Sequence, residues 1–241
     1  MPWDIRLIFF VLGVVVPWRG HARLRELLAK PQVDSRERLS LYVSTILFQW
    51  VAAGVAGWRA WAHGFTKWQL GLASPHGKAV FAAILGAALL GGFQWLNLRR
   101  VGRLATESRG RLQKLADRIL PRTRVETLCF LGLATTAGIC EEFLYRGFAM
   151  AVFARASLPA WIVVLGSAVL FGLAHLYQGR GGFVSTMILG VLFGVARLRW
   201  QSLAPVMLWH WGVDMVAGVA GPKYLLAAKP AEYPPTRRAE S

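Results

Sequence analysis

The sequence predicts an all-α fold: a polytopic transmembrane helical bundle of seven to eight spans. Fifty-five per cent of the 241 residues are hydrophobic, more than an ordinary soluble domain carries. The apolar residues fall in long windows of membrane length, and Lys and Arg gather in the connections between them. The length suits about seven such spans with short loops. A single transmembrane domain is therefore expected over 1–221, followed by a polar, proline-bearing tail over 222–241, expected to be disordered.

The first window, Trp3 to Trp18, resembles a signal peptide superficially. Arg6 inside it and the lack of a small-x-small cleavage site mark it as a retained span. A basic, partly amphipathic connection follows, with Arg19, Arg23, Arg25, Lys30, Arg36 and Arg38. Span two covers about Leu41 to Trp58, with Trp58 and Trp61 as interface anchors. After a turn-rich loop (Gly64, Gly71, Pro75, Gly77), span three covers about Ala79 to Leu98, where Gly86, Gly91 and Gly92 permit close helix approach. The connection Arg99 to Arg124 holds nine Lys and Arg, the most basic segment in the chain.

Val125 to Arg155 reads as one helix of about 46 Å, longer than the hydrocarbon core, with Gly147 as its kink site. Span five covers about Leu158 to Tyr177 and span six about Phe183 to Leu198, with a G-x-x-x-G pattern at Gly190 and Gly194. Span seven covers about Leu203 to Val219 and is ended by Gly221 and Pro222.

The formal net charge is +16. Because the basic residues flank apolar spans, anionic lipid headgroups explain them better than nucleic acid, and no nucleic-acid partner is expected. Six Lys and Arg in the first connection and nine in the third, against three in the second, predict an outward N-terminus and cytoplasmic first and third connections. Cys129 and Cys140 stand about 16 Å apart on one helix, too far for a disulfide, and read as small packing residues.

The chemistry gathers in the second half. Glu141 and Glu142 lie side by side in an apolar stretch with Arg146 after them, and two later spans carry His175 and His210. Ionisable groups at membrane depth are expensive to bury and mark catalytic or ion sites. Glu142 and Arg146, at i and i+4, share a helix face and predict an ion pair. Glu141 points about 100° away and is left to face a cavity. His210 stands one turn before Asp214, a carboxylate placed to orient the imidazole or to hydrogen-bond a shared water. This set suits two chemistries. A metal, zinc foremost, could be held by Glu141, His175 and His210, or Glu141 could activate water directly with the histidines completing the site. No H-E-x-x-H, no G-x-S-x-G and no second intramembrane aspartate point to another protease chemistry.

The E-E-F-L-Y-R-G run over Glu141 to Gly147 resembles the E-E-x-x-x-R-G motif of the CPBP family, the CAAX proteases and bacteriocin-processing enzymes also called Abi proteins. Phe171 to His175 resembles its F-x-x-x-H motif, and His210 to Asp214 its H-x-x-x-N/D motif. The resemblance covers about 125–220, which it marks as the catalytic core. It implies an intramembrane endopeptidase that hydrolyses a peptide bond in a membrane-associated peptide or protein, of glutamic or metalloprotease type. Glu141 is the implied general base, His175 and His210 complete the site, and Glu142, Arg146, Phe171 and Asp214 support it. Asp214 stands where the eukaryotic prenyl proteases carry Asn. The expected setting is a bacterial inner (plasma) membrane. The competing readings are a non-catalytic scaffold or bacteriocin-immunity protein of the same fold, and an ion-coupled transporter.

Overall fold

The computed structural model describes residues 1–226, and those residues form helices and turns with no strand. The helices are α1 (Trp3–Ala29), α2 (Ser35–Ala62), α3 (Gly77–Val101), α4 (Gly110–Ile119), α5 (Arg124–Arg155), α6 (Ala160–Ala174), α7 (Arg180–Trp200) and α8 (Ala204–Leu225). Five of them, α1, α2, α3, α5 and α7, are long and apolar enough to cross a membrane. The all-α membrane bundle expected from the sequence is the fold observed, and the chain is an integral membrane protein. The expected tail over 222–241 begins inside α8, which carries Pro222 and continues to Leu225. The rest of it lies outside the described residues.

Two helices pass through widened π turns. In α1 the turn spans Val11–Val15, just before Pro17. Proline has no N–H to give and its ring presses on the carbonyl four residues back, so a normal turn would break here. The widened turn carries the chain past that point, and α1 runs on through Arg19, Arg23 and Arg25, burying Leu24 and Leu27. The first basic connection is thus largely helical. In α5 the π stretch is Phe143–Ala149, directly after the two glutamates. Its Tyr145 carbonyl accepts a 2.8 Å hydrogen bond from the buried Ser167 hydroxyl of α6. Such turns are stable where neighbouring groups complete the hydrogen bonding that the wider spiral disturbs, and they recur at functional sites.

Small residues set the close approaches around α5. A Cβ built on Gly138 would lie 3.1 Å from the Met207 carbonyl and 3.2 Å from the Trp211 nitrogen, so only glycine lets α5 and α8 touch backbone to backbone here. Gly190 of α7 faces Ala168 of α6 in the same way, at 2.9 Å from its Cα. Ala53, Ala56 and Ala60 give α2 a flat buried face beside α5, in one apolar core with Leu12, Leu144 and Phe148.

Charged groups tie the ends. At the foot of α5, Arg38 of α2 grips Glu126 through Nε at 3.0 Å, and the Arg122 backbone N–H donates to the same carboxylate at 2.7 Å. At the opposite end Asp4 accepts from Arg59 at 2.5 Å and lies 2.8 Å from His63, so that histidine is a partner in an ion cluster. The Arg155 and Arg197 guanidinium groups donate to carbonyls of the loop between α2 and α3. Cys129 and Cys140 are both free.

Candidate active site

The length of α6 brings the histidines to the glutamates. At 15 residues it rises about 22 Å, too little to cross a hydrocarbon core. It starts after the Ala156–Pro159 turn, where Ser157 takes a left-handed φ of 58°, and it stops with His175 as its C-cap. A helix that ends early delivers its terminal residue to the middle of α5. His175 Nε2 stands 4.0 Å from Glu141 Oε2. The sequence places the end of this span three residues later, at Tyr177, where the chain is instead a single 3₁₀ turn, Leu176–Gln178.

The adjacent glutamates meet different surroundings. Glu142 and Arg146 are both fully buried and paired at 3.0 Å. Glu142 Oε1 is also 2.8 Å from His210 Nδ1. His210 Nε2 lies 3.5 Å from Asp214 Oδ2, so each ring nitrogen faces a carboxylate oxygen. An ionised carboxylate only accepts, so His210 Nδ1 carries a proton and donates it to Glu142. Asp214 was the expected orienter of His210, yet Glu142 makes the shorter bond.

Phe171 sits at the centre of the cluster. Its ring lies 4.1 Å beneath the Arg146 guanidinium carbon and 4.6 Å from the His175 ring, with the His210 ring edge-on at 5.8 Å. A cation over an aromatic face is favoured in a dry interior, which compensates Arg146 for nitrogen atoms that have no hydrogen-bond partner among the described residues. The Phe171 carbonyl is 2.8 Å from His175 Nδ1. A carbonyl only accepts, so Nδ1 carries a proton and Nε2 is the nitrogen that faces Glu141.

Glu141 is held lightly. Its Oε1 accepts a 2.6 Å hydrogen bond from Gln49 Nε2 of α2, and its Oε2 has no partner. Glu141, His175, Gln49, Tyr145 and Tyr177 line a cavity of about 610 Å³ that also meets Leu12, Val16 and Arg19 of α1 and Leu41 and Phe48 of α2. Sequence reasoning did not single out Gln49. Its signal is that of the only amide side chain in a span without charged residues.

The donors do not gather into a metal centre. Among the described residues no cluster of three or more His, Cys, Asp or Glu side chains is placed to hold a metal ion. Glu141 and His175 approach each other, while both nitrogens of His210 are engaged by Glu142 and Asp214. The zinc arrangement raised by the sequence does not fit this geometry.

Residues 123–216 match the family model for Type II CAAX prenyl endopeptidase Rce1-like proteins. Over this segment the chain is similar to that family. No curated protein and no solved structure matches it. The Rce1-like segment begins one residue before α5 and ends within α8, and it contains Glu141, Glu142, Arg146, Phe171, His175, His210 and Asp214. The helices α1, α2 and α3 lie outside the Rce1-like segment, although α1 and α2 build most of the cavity wall.

Proposed function

We propose that the chain is an intramembrane glutamic endopeptidase in which Glu141 activates the attacking water and His175 and His210 complete the site. The observation that carries this reading is an unpaired carboxylate oxygen, Glu141 Oε2, on a cavity wall 4.0 Å from a histidine nitrogen; the other buried unpaired carboxylate oxygen among the described residues, Glu142 Oε2, belongs to a residue that does not line the cavity. A water between them donates one O–H to Glu141 and the other to the His175 lone pair. This orients its own lone pair toward a bound carbonyl carbon.

Glu141 takes the proton as the water oxygen bonds to that carbon. The carbonyl oxygen becomes an oxyanion, and His210, protonated at both nitrogens and held at Nδ1 by Glu142, turns its Nε2–H from the 3.5 Å contact with Asp214 to that oxygen. The new Glu141 carboxylic acid then returns its proton to the departing nitrogen. The C–N bond breaks, and an acid and an amine leave. Asp214 accepts but cannot donate when ionised, so its part is to keep His210 charged rather than to hold the oxyanion itself.

The cavity also meets Arg19, Arg23, Leu27 and Ile119, residues at the end of the bundle where the two most basic connections lie. The positive-inside rule makes that end cytoplasmic, so a peptide enters from the cytoplasmic side with its apolar flank against α1 and α2. Anionic lipids of that leaflet suit the same basic connections.

The test is cleavage of a farnesylated peptide ending in a CAAX sequence by the purified protein in vesicles, with products read by mass spectrometry. Wild type releases the C-terminal tripeptide, and His175→Ala does not. An intact peptide after prolonged incubation with folded wild type would overturn the reading. Survival of activity after treatment with a strong chelator supports the metal-free route.

A further inference from the structure

We infer that Gln49 is the positioning residue of the site: its amide fixes Glu141 so that Oε2, and not Oε1, meets the water. The inference rests on the reading of Glu141 as general base. It adds to the machinery a residue of α2, outside the Rce1-like segment.

Glu141 needs a support of a particular kind. A glutamate in apolar surroundings can rotate about three side-chain bonds, and a base that wanders loses the geometry on which proton transfer depends. A cationic support would fix it but would also neutralise the charge it uses to take a proton. Arg146 does this to Glu142. A neutral amide N–H fixes the carboxylate and leaves its charge in place. Gln49 supplies that donor at 2.6 Å while only 8 % exposed.

The amide can point only one way. Turned over, its Oε1 would face a carboxylate oxygen, acceptor against acceptor. As placed, Gln49 Oε1 has no partner and is buried, so only a donor within the cavity can satisfy it. The register of α2 on α5 is pinned on both sides of Gln49, by Arg38 on Glu126 before it and by two contacts after it. Trp50 Nε1 donates to Thr136 Oγ1 at 3.3 Å, and Gly57 lets the Phe143 ring approach a built Cβ to 3.5 Å. With α2 locked in this way, the amide is fixed at the carboxylate.

The test uses the full chain in detergent with the farnesylated CAAX peptide as probe. Gln49→Met keeps the shape and removes the hydrogen bond. We expect kcat to fall about tenfold to a hundredfold, KM to stay within about twofold, and the melting temperature to hold. An infrared difference spectrum, wild type minus Glu141→Gln, isolates the Glu141 carboxyl band, and that band should shift in Gln49→Met. Unchanged kcat, or a band that does not move, overturns the proposal. If wild type itself fails to cut the probe, the general-base reading fails, and the band alone decides whether Gln49 holds Glu141. Should the Met variant misfold, Gln49→Ser gives the same two readouts.

Discussion

Helix α5 carries one carboxylate at its foot and another at its middle, and the two are treated in opposite ways. Glu126 is fully buried and saturated: Arg38 Nε at 3.0 Å, the Arg122 N–H at 2.7 Å, and a backbone N–H of its own capped by Thr123. Glu141 has one neutral donor and one bare oxygen. A carboxylate whose acceptor sites are filled by cations and N–H groups has nothing left to do except hold helices together. A bare one in a cavity can take a proton. Glu142, one letter from Glu141, shares its bare Oε2 but not its cavity: it is fully buried, does not line the cavity, and its Oε1 is held by Arg146 at 3.0 Å and by His210 at 2.8 Å.

This contrast can be broken from both sides. The largest expected effect is at Glu141→Gln, where turnover of the CAAX probe falls on the order of 10³-fold while the melting temperature stays at the wild-type value. A comparable fall in stability would move Glu141 into the structural class. Glu142→Gln and Arg146→Ala should lower both, because each strands a buried charge and loosens His210. Breaking such a pair destabilises by about 3–5 kcal/mol, read from denaturant unfolding in detergent. Wild-type unfolding curves for both variants would refute the support role.

Glu126→Leu sharpens the comparison. It leaves Arg38 buried without its partner and should cost about 3 kcal/mol, yet the molecules that remain folded should turn over at the wild-type rate. The double variant Arg38→Met, Glu126→Leu should recover most of that stability, since a buried ion pair often does no better than apolar packing. The smallest effect is at Gly138→Ala, where one methyl against the α8 backbone costs about 1–2 kcal/mol and lowers kcat by shifting His210.

Much of this was legible in the letters, because it follows from periodicity and from the expense of burying charge. The Glu142–Arg146 pair and the divergence of the two glutamates come from helical spacing, and five of the expected spans, α1, α2, α3, α5 and α7, from the length of their apolar windows. What was not legible depends on which helices become neighbours. Gln49 acquires meaning only when α2 lies on α5, and nothing in its own span says which helix it will meet. The Arg38–Glu126 clamp joins residues 88 apart, so neither partner could be paired in advance. The early end of α6 was hidden because Leu176 and Tyr177 are as compatible with helix as with a 3₁₀ turn. The π stretch in α5 was foreshadowed only by Gly147, while the Ser167 hydroxyl that completes it comes from another helix. Glu142 as the closer partner of His210 was masked by Asp214, which stands one turn away in sequence and therefore seemed the natural neighbour.

The central claim is that the Glu141 carboxylate drives water onto the peptide carbonyl. A single-turnover reaction in ¹⁸O-labelled water, with wild type and Glu141→Gln at equal folded concentration, tests it most directly. The account predicts one ¹⁸O atom in the new carboxyl group made by wild type within the first turnover and none from the variant over the same interval. Equal labelled product from both proteins would contradict it.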